Sequence, residues 1–507
     1  MINKTNKHIF NIFIVFVAFL YKLINNLTTQ KYFYGDDSWL LLGSRFDSYL
    51  EGLRCCAVTH PIFSLFAQSI YKFSGYSTEK TILSFLIFSV VSALMIFKIS
   101  NKLLTQNEKL LVYCLTIASP VLIQYGVRPK PYSSDVLISI FIIIVFYKIE
   151  KQPSKSYFFI LGLFLLFSIS SWPLIGALLL IYFSKYFYKK NFNGIFNISF
   201  FSFGFLLTII QVYRWRDPGM QNFVIAYYAP TEGGPLLFLR WSVYSFIRFF
   251  GESNKLDLGF FNFSLLISVI LFTLGAIKLY KENNEFLLFS TLGILLNFLG
   301  AIFKLWPFGG FRTSIYLLPI FCIFVAKGLF FLTSILKNKK FENALLLFFI
   351  VFLFTTLQNP NYQQTTRPFD NNLFGNILEE FNTSNNNYLI YHGGLQTIAL
   401  HSTNRIYLED INYFEKGQGT EGFHIPFFLK NNIHIACTRY TGSDNGLSCL
   451  KQNLEFLNNF EGKQITLIGV HIRDHQFKPY LDAFENTNWN AKSITMSEEV
   501  GIITFTK

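Results

Sequence analysis

Two adjacent aspartates, Asp36 and Asp37, follow the first long apolar run of the sequence. Carboxylates close to hydrocarbon are costly, so the pair favours a functional role. One carboxylate would act as a general base that takes a proton from a hydroxyl, and the other would orient that hydroxyl or hold a divalent cation such as Mg²⁺ or Mn²⁺. The alternative is structural, because an aspartate before an apolar run is a good helix N-cap.

Three further polar segments interrupt the apolar sequence. Their candidate site residues are His60 in the first segment, Arg128, Lys130, Tyr132 and Asp135 in the second, and Trp306, Arg312 and Tyr316 in the third. A lone histidine is more often structural, and Arg128 and Lys130 could simply flank a helix start. No cluster has zinc-ligand spacing. If a metal ion is bound at all, its candidate ligands are Asp36, Asp37 and Asp135.

The elements that position these residues are predicted to be transmembrane helices. Of the 507 residues, 51% are hydrophobic and 14% are charged, and the mean hydropathy is +0.36. Such values lie outside the range of soluble domains and indicate a polytopic membrane protein in contact with lipids. The net charge of +13 comes from short clusters between apolar runs. This distribution argues for membrane topology and against a nucleic-acid partner.

The apolar runs predict about eleven transmembrane helices, since a span needs roughly 15 to 25 residues. They lie near residues 9–27, 80–97, 109–126, 133–147, 157–171, 173–188, 195–213, 260–280, 286–304, 313–334 and 342–358. The first run lacks a signal-peptide cleavage site and is interpreted as an uncleaved anchor. The run 133–147 and the break at Trp172-Pro173 suggest kinked or half-membrane helices. Residues 60–73 form a short run that begins with proline, and we expect them to lie at the membrane surface.

Lysine clusters give the orientation, because cytoplasmic loops carry an excess of basic residues. With residues 60–73 at the surface, every alternate loop is basic. The N-terminus is then cytoplasmic, and the outer side holds the loops 28–79 and 214–259 and the C-terminal residues 359–507. The expected domains are an all-α membrane domain, residues 1–358, and an extracytoplasmic domain, residues 359–507. The inner lysines need no special explanation in a lysine-rich chain.

Arginines of the membrane region all fall on the outer side of this topology. A guanidinium binds phosphate through two parallel hydrogen bonds, so these arginines predict a phosphate site. Contact with lipid headgroups is the alternative. Residues 235–252 form an amphipathic helix with Arg240, Tyr244 and Arg248 spaced four apart, which is typical of either membrane anchoring or donor binding. The proposed phosphate-binding residues are Arg128, Lys130, Arg214, Arg216, Arg240, Arg248 and Arg312.

The polar C-terminal part predicts a small α/β domain. Strands are expected at residues 388–391, 433–437, 464–470 and 501–506, and helices near 371–383, 447–460 and 476–486. Cys437 and Cys449 would pair in an oxidising compartment, while two free thiols are the alternative.

The acidic pair after the first span, the His60-Pro61 segment, the Arg128-Pro-Lys-Pro-Tyr turn and the late Arg312-x-x-x-Tyr316 pattern together resemble the GT-C glycosyltransferases. The branch of protein O-mannosyltransferases and lipid A aminoarabinose transferases is the most similar in these motifs. The resemblance covers residues 1–335 and implies a sugar donor on a polyprenyl phosphate, with inversion at the anomeric carbon. It implies that Asp36 or Asp37 matches the acidic motif, that Asp135 is the second acidic residue, and that Arg312 meets the donor phosphate. The family's His-Pro-Pro is His60-Pro61-Ile62 here.

The expected function is therefore transfer of a sugar from a polyprenyl-phosphate donor to a lipid-linked glycan, a cell-surface lipid or a protein. The cell-envelope location would be a bacterial inner membrane with a periplasmic active site. In this chemistry the enzyme deprotonates an acceptor hydroxyl and neutralises the departing phosphate, and arginine alone can do the latter. The alternatives are a transporter or flippase of a lipid-linked or anionic substrate, and an O-antigen polymerase or ligase. The C-terminal domain would bind or orient the acceptor.

Overall fold

The computed structural model describes residues 31–33, 36–56, 61–126, 128–215, 228–230, 234–250, 265–309, 312–335, 369–402, 407–408, 427–428, 432–434, 437, 444–470, 474–497 and 499–507. These residues belong to two compact units. The helical unit is formed by the described residues of the ranges 82–214 and 224–365. The mixed unit is formed mainly by those of 29–81 and 366–507, so it joins residues from both sides of the expected domain boundary at 358.

The α-helices of both units are as follows. In chain order they are α1 Asp36–Leu42, α2 Tyr49–Cys56, α3 Pro61–Phe73, α4 Thr78–Met95, α5 Gln106–Ile117, α6 Pro120–Tyr125, α7 Tyr132–Lys151, α8 Lys155–Phe167, α9 Trp172–Tyr188, α10 Phe192–Ser199, α11 Phe201–Trp215, α12 Gly234–Ile247, α13 Leu265–Glu282, α14 Asn284–Ile302, α15 Leu318–Ile335, α16 Asn371–Thr383, α17 Leu395–His401, α18 Leu447–Asn459 and α19 Asp474–Glu485.

Five helical segments of the described chain are long and apolar enough to cross a membrane. They are Thr78–Lys98, Tyr132–Lys151, Phe192–Ile210, Asn284–Ile302 and Thr313–Ile335. The expected spans 9–27 and 342–358 lie outside the described residues. α3 has 13 residues, fewer than a span requires.

Two of the predicted spans differ in the structure. Residues 109–126 do not form one helix, because α5 ends at Ile117 and Pro120 starts α6; proline cannot donate to the preceding turn. The run 133–147 is the middle of α7, which has 20 residues and so does not need to be a half-membrane helix.

Helices α13 and α15 of the helical unit pack closely together. A Cβ atom added to Gly275 would lie 1.9 Å from the Phe324 carbonyl oxygen, and one added to Gly328 would lie 1.8 Å from the Leu271 carbonyl oxygen. Glycine at both positions lets the two backbones touch, as is common between helices in membranes. This contact fixes α15, which continues directly from the 3₁₀-helix Arg312–Leu317.

A five-stranded sheet forms the centre of the mixed unit. Its strands have the order β4-β1-β5-β7-β6, and β4, β1 and β5 are parallel while β7 and β6 are antiparallel additions. The strands are β1 Tyr388–Ile390, β4 Ile433–His434, β5 Gln464–Val470, β6 Asn490–Ser497 and β7 Val500–Thr506, beside a separate pair of β2 Tyr407–Leu408 and β3 Phe427–Phe428.

The core of this unit lies between the sheet and helices α18 and α19. Leu467 of β5 and Phe505 of β7 are buried there, and the Phe505 ring stacks on that of Phe484 at 3.7 Å. Cys437 and Cys449 form a disulfide beside this core, which decides between the two states left open by the sequence. The predicted α/β character is confirmed, and the exposed edge strand β6 was not predicted.

Candidate active site

Asp135 is the most enclosed of the charged candidate residues whose side chains the structure describes in the helical unit. It lies in the first turn of α7 with 1% of its surface exposed. The Ser168 and Ser170 hydroxyls face its carboxylate, and Tyr316, which is fully buried, lies close enough to interact with its charge. These four residues are here named the Asp135 cluster.

Three distant segments build the Asp135 cluster. The start of α7 packs against the 3₁₀-helices Ile169–Ser171 and Arg312–Leu317, which also contact each other. Ser168 and Ser170 interrupt the apolar sequence between α8 and α9, where Pro173 begins the new helix. A serine-rich break followed by Trp-Pro is thus the sequence signal for these two residues, which motif reasoning missed.

The Asp135 carboxylate has unsatisfied capacity for a ligand. Among the side chains that the structure describes, neither of its buried oxygens has a hydrogen-bond partner of good geometry, although the two serine hydroxyls lie nearby. A buried carboxylate requires a proton, a cation or donors from a bound molecule. The Asp135 cluster can therefore accept a hydroxyl proton or bind a polar substrate group.

The turn before α7 carries two basic candidates. The Arg128 guanidinium carbon lies 5.4 Å from the centre of the Tyr125 ring, and that ring meets Tyr132 edge-to-face at 4.7 Å. Lys130 is 9% exposed and mostly enclosed. α6, which ends at Tyr125, also contacts the 3₁₀-helix that contains Tyr316. The structure thus brings the turn and the Asp135 cluster together.

Trp306 has a structural contact in this region. Its indole N–H donates to the Thr313 carbonyl oxygen at 3.2 Å, which holds the start of the 3₁₀-helix Arg312–Leu317. Ser314 of the same helix is fully buried near Asn297 of α14, whose amide nitrogen lies 3.5 Å from the Ser314 hydroxyl. The described contacts of Trp306 thus position the segment that carries Arg312 and Tyr316.

The arginines of the predicted amphipathic helix differ in their surroundings. Arg240 of α12 is exposed, while Arg248 is 8% exposed and its guanidinium carbon lies 4.2 Å from the centre of the Tyr244 ring. A cation stacked this closely on an aromatic face has a fixed orientation. Arg240 and Arg248 are thus not equivalent members of one exposed stripe.

In the mixed unit, α1 carries the acidic pair. Asp37 is 1% exposed, whereas the structure describes the backbone but not the side chain of Asp36. The same holds for Arg214, in the last turn of α11, and for Arg312. His60 and Arg216 lie outside the described residues.

Metal ligands were also part of the expectation. Within the described ranges, no three His, Cys, Asp or Glu side chains are grouped closely enough to hold a metal ion. The described neighbours of the Asp135 carboxylate are the Ser168 and Ser170 hydroxyls.

Comparisons with known proteins give the fold. No protein-family model and no curated protein sequence matches this chain. The chain is similar to the crystal structure of ArnT from Cupriavidus metallidurans bound to undecaprenyl phosphate, with a TM-score of 0.57 and 8% sequence identity over 99% of this chain and 98% of that one. The apo structure of the same protein matches with a TM-score of 0.53 over the same shares. The chain therefore has an ArnT-like fold, and the resemblance drawn from its motifs is confirmed at the level of the fold.

Proposed function

We propose that this protein is a membrane glycosyltransferase that moves a sugar from a polyprenyl-phosphate donor to an acceptor hydroxyl. The observation that carries the proposal is the Asp135 cluster, a buried carboxylate with capacity for a ligand in an ArnT-like fold. ArnT, which has this fold, has been crystallised with undecaprenyl phosphate. A phosphate of this kind is the leaving group of the proposed reaction.

The chemistry needs a base and a positively charged site. The base removes the acceptor proton, the acceptor oxygen attacks the anomeric carbon, and the bond from that carbon to the phosphate oxygen breaks with its electron pair. In-line attack inverts the anomeric configuration. Asp36 or Asp37 is the proposed base, Asp135 would orient the sugar or the acceptor, and Arg128, Lys130 and Arg312 would neutralise the phosphate.

The proposed topology places this reaction on the outer face of a bacterial inner membrane, with about eleven spans and a cytoplasmic N-terminus. The Cys437–Cys449 disulfide supports an extracytoplasmic position of the mixed unit, because disulfides persist in oxidising compartments. It is independent of the lysine distribution on which the orientation rests.

The acceptor would meet the mixed unit at a cavity of about 700 Å³ near the start of β1 and β5. Its lining includes the amides of Asn387, Gln452 and Asn459 and the rings of Phe456 and Phe460. Amides can donate to and accept from sugar hydroxyls, while aromatic faces cover the apolar faces of sugar rings. This lining supports a glycan as the acceptor class.

Transfer can be tested with protein purified into lipid nanodiscs and a panel of radiolabelled undecaprenyl-phosphate sugars. We expect at least one of Asp36→Asn and Asp37→Asn to lower kcat by about 10²–10⁴-fold, the usual contribution of acid–base catalysis. Asp135→Asn should also lower kcat, because it removes the carboxylate that orients the sugar or the acceptor. Asp47→Asn, at an exposed position of the mixed unit, is the matched control. Full activity in all three site variants would contradict the assignment.

The same nanodisc protein separates the enzyme from the transporter. A transferase yields a labelled acceptor product, whereas a flippase moves labelled lipid between leaflets of a proteoliposome without changing its covalent structure. Lipid movement without product across the donor panel would reject the proposed function.

A further inference from the structure

The chain just before the acidic pair is bound to the C-terminal part of the mixed unit. The Lys31 backbone N–H donates to the Asn371 side-chain oxygen at 3.1 Å, and the Lys31 ammonium donates to the Asn372 side-chain oxygen at 3.2 Å. The Tyr32 ring packs edge-to-face on Phe374 at 5.0 Å. The three partners, Asn371, Asn372 and Phe374, lie at the start of α16, more than 300 residues away in sequence.

His401, the last residue of α17, binds the main chain of Phe33. Its Nε2 atom lies 3.1 Å from the Phe33 nitrogen and 2.9 Å from the Phe33 oxygen. A neutral ring can accept from that N–H in one tautomer or donate to that oxygen in the other. The Ser38 hydroxyl donates to the same oxygen at 2.6 Å, so His401 and the residue after Asp37 share one carbonyl group.

A second contact with the C-terminal residues lies just after the C-terminal end of α1. The Arg45 guanidinium donates to the carbonyl oxygen of Ser402, the residue after His401, and its carbon lies 5.4 Å from the Tyr76 ring. α1 itself packs along α17. Phe33, before α1, and Arg45, after α1, therefore both contact the short segment of residues 401–402.

We propose that His401 is a positioning residue, which holds the helix of Asp36 and Asp37 in place through the Phe33 main chain. It does not need to touch the reacting atoms. The catalytic part of this inference rests on the proposed function, while the positioning part does not. The C-terminal residues of the mixed unit would thus hold the helix of the acidic pair in addition to meeting the acceptor.

The surroundings of His401 suit a fixed, uncharged connector. Burial lowers the pKa of His401 to about 4, and the nearby positive charge of Arg45 lowers it further, against a rise from the Phe33 main chain. The ring stays neutral at ordinary pH and keeps one donor and one acceptor nitrogen. Glutamine also offers one donor and one acceptor at a similar reach, and leucine offers neither.

Hydrogen–deuterium exchange of the purified full chain tests the positioning part without any substrate. In His401→Leu we expect peptides covering residues 31–42 to exchange about tenfold faster, as the loss of one hydrogen bond permits, while peptides from β5 and β7 stay unchanged. His401→Gln should exchange like the native protein. His434→Leu is the control, because the His434 ring packs away from residues 31–42, on Phe456 of α18 and on Phe460, which follows that helix.

Each outcome decides a part of the inference. Unchanged exchange at residues 31–42 in His401→Leu would overturn it. If His401→Leu unfolds as a whole, Ser38→Ala takes its place, because it removes the other donor to the Phe33 oxygen. Residues 31–42 must then exchange faster than in the native protein. Exchange at the native rate would overturn the inference.

Kinetics with undecaprenyl-phosphate sugars test the catalytic part. We expect His401→Leu to lower kcat about tenfold with an unchanged donor KM, and His401→Gln to restore kcat. Local loosening with native kcat would reject the catalytic part. Local loosening in a protein that transfers no sugar from any donor would reject the proposed function and leave the positioning role standing.

Discussion

Lys327 lies at the centre of a buried ion-pair network, and replacing it with methionine should destabilise the helical unit. Its ammonium is 3.1 Å from the Glu108 carboxylate and 2.9 Å from that of Glu282. Lys278 lies 3.3 Å and 3.8 Å from the same two carboxylates. The network joins the start of α5 to α13 and α15.

The loss of unfolding free energy expected for Lys327→Met depends on which contacts of Glu108 and Glu282 remain in the variant. The side chains of Lys327 and Glu108 are 5% and 2% exposed, and removing one partner of a buried pair typically costs about 3–5 kcal/mol. Glu108 keeps Lys278 and also accepts from the Thr105 backbone N–H at 2.7 Å, while Glu282 is 47% exposed and is hydrated. We therefore expect Lys327→Met to cost about 2–3 kcal/mol.

Thermal unfolding in detergent, followed by tryptophan fluorescence, measures this effect. A loss of this size corresponds to a decrease in apparent Tm of roughly 5–10 °C for a unit of this length. Lys102→Met is the matched control, because Lys102 forms a 3.2 Å pair with Glu150 whose side chains are 56% and 30% exposed. Exposed pairs contribute less than about 1 kcal/mol.

A double variant completes the test. Glu108→Gln combined with Lys327→Met leaves no unpaired charge at position 108, so it should be less destabilised than the sum of the two single variants. If Lys327→Met and Lys102→Met melt at the same temperature, or if the two single effects simply add, the network does not stabilise the fold as its geometry suggests.

Three further predictions concern other parts of the chain. Gly275→Val should lower the apparent Tm by the equivalent of about 3 kcal/mol, since its Cβ would overlap a backbone carbonyl of α15; a native Tm would contradict the close packing. Replacing Cys437 and Cys449 by serine opens a loop with a sequence separation of 12 and should cost about 3 kcal/mol, measured as an earlier urea midpoint for loss of exchange protection in the mixed unit. Burial keeps the folded His401 neutral down to pH of about 4, whereas the unfolded ring takes a proton below its ordinary value of 6.5. The mixed unit should therefore lose stability as pH falls from 6.5 to 4, and His401→Gln should reduce this slope.

Local patterns were enough to predict much of the mixed unit. Helix α16 and strand β5 have the expected limits, because each contains its own periodicity and its own end signals. Asp370 is the N-cap that precedes α16, and its carboxylate accepts from the Asn372 and Leu373 backbone N–H groups. The edge strand β6 escaped prediction because seven of its eight residues are exposed and it lacks the buried face that makes a strand recognisable.

Contacts between distant segments could not be predicted in this way. Two of the lysines counted as inner-loop charges have specific partners: Lys278 binds Glu108, and the Lys109 ammonium donates to the Asn101 side-chain oxygen at 2.7 Å. Lys327, within the expected span 313–334, was not singled out because its partners are two other helices. The sequence gives the sign of each charge, but the fold decides whether that charge is hydrated or paired.

Asp135 and the acidic pair Asp36-Asp37 depend on contacts with different parts of the chain. Asp135 is enclosed by segments within the helical unit, which can pack once α15 has been made. α1 packs on α3, where the Gln68 amide donates to the Leu40 carbonyl oxygen at 3.1 Å, but further contacts come from residues 371–402, and the Phe33–His401 hydrogen bond spans 368 positions. α1 has only 7 residues, too short to be stable without packing. The acidic pair therefore receives part of its support only after the C-terminal residues have been synthesised and folded. A chain that lacks them would retain Asp135 in its enclosure and the packing of α1 on α3, but it would lose the contacts at His401 and Ser402.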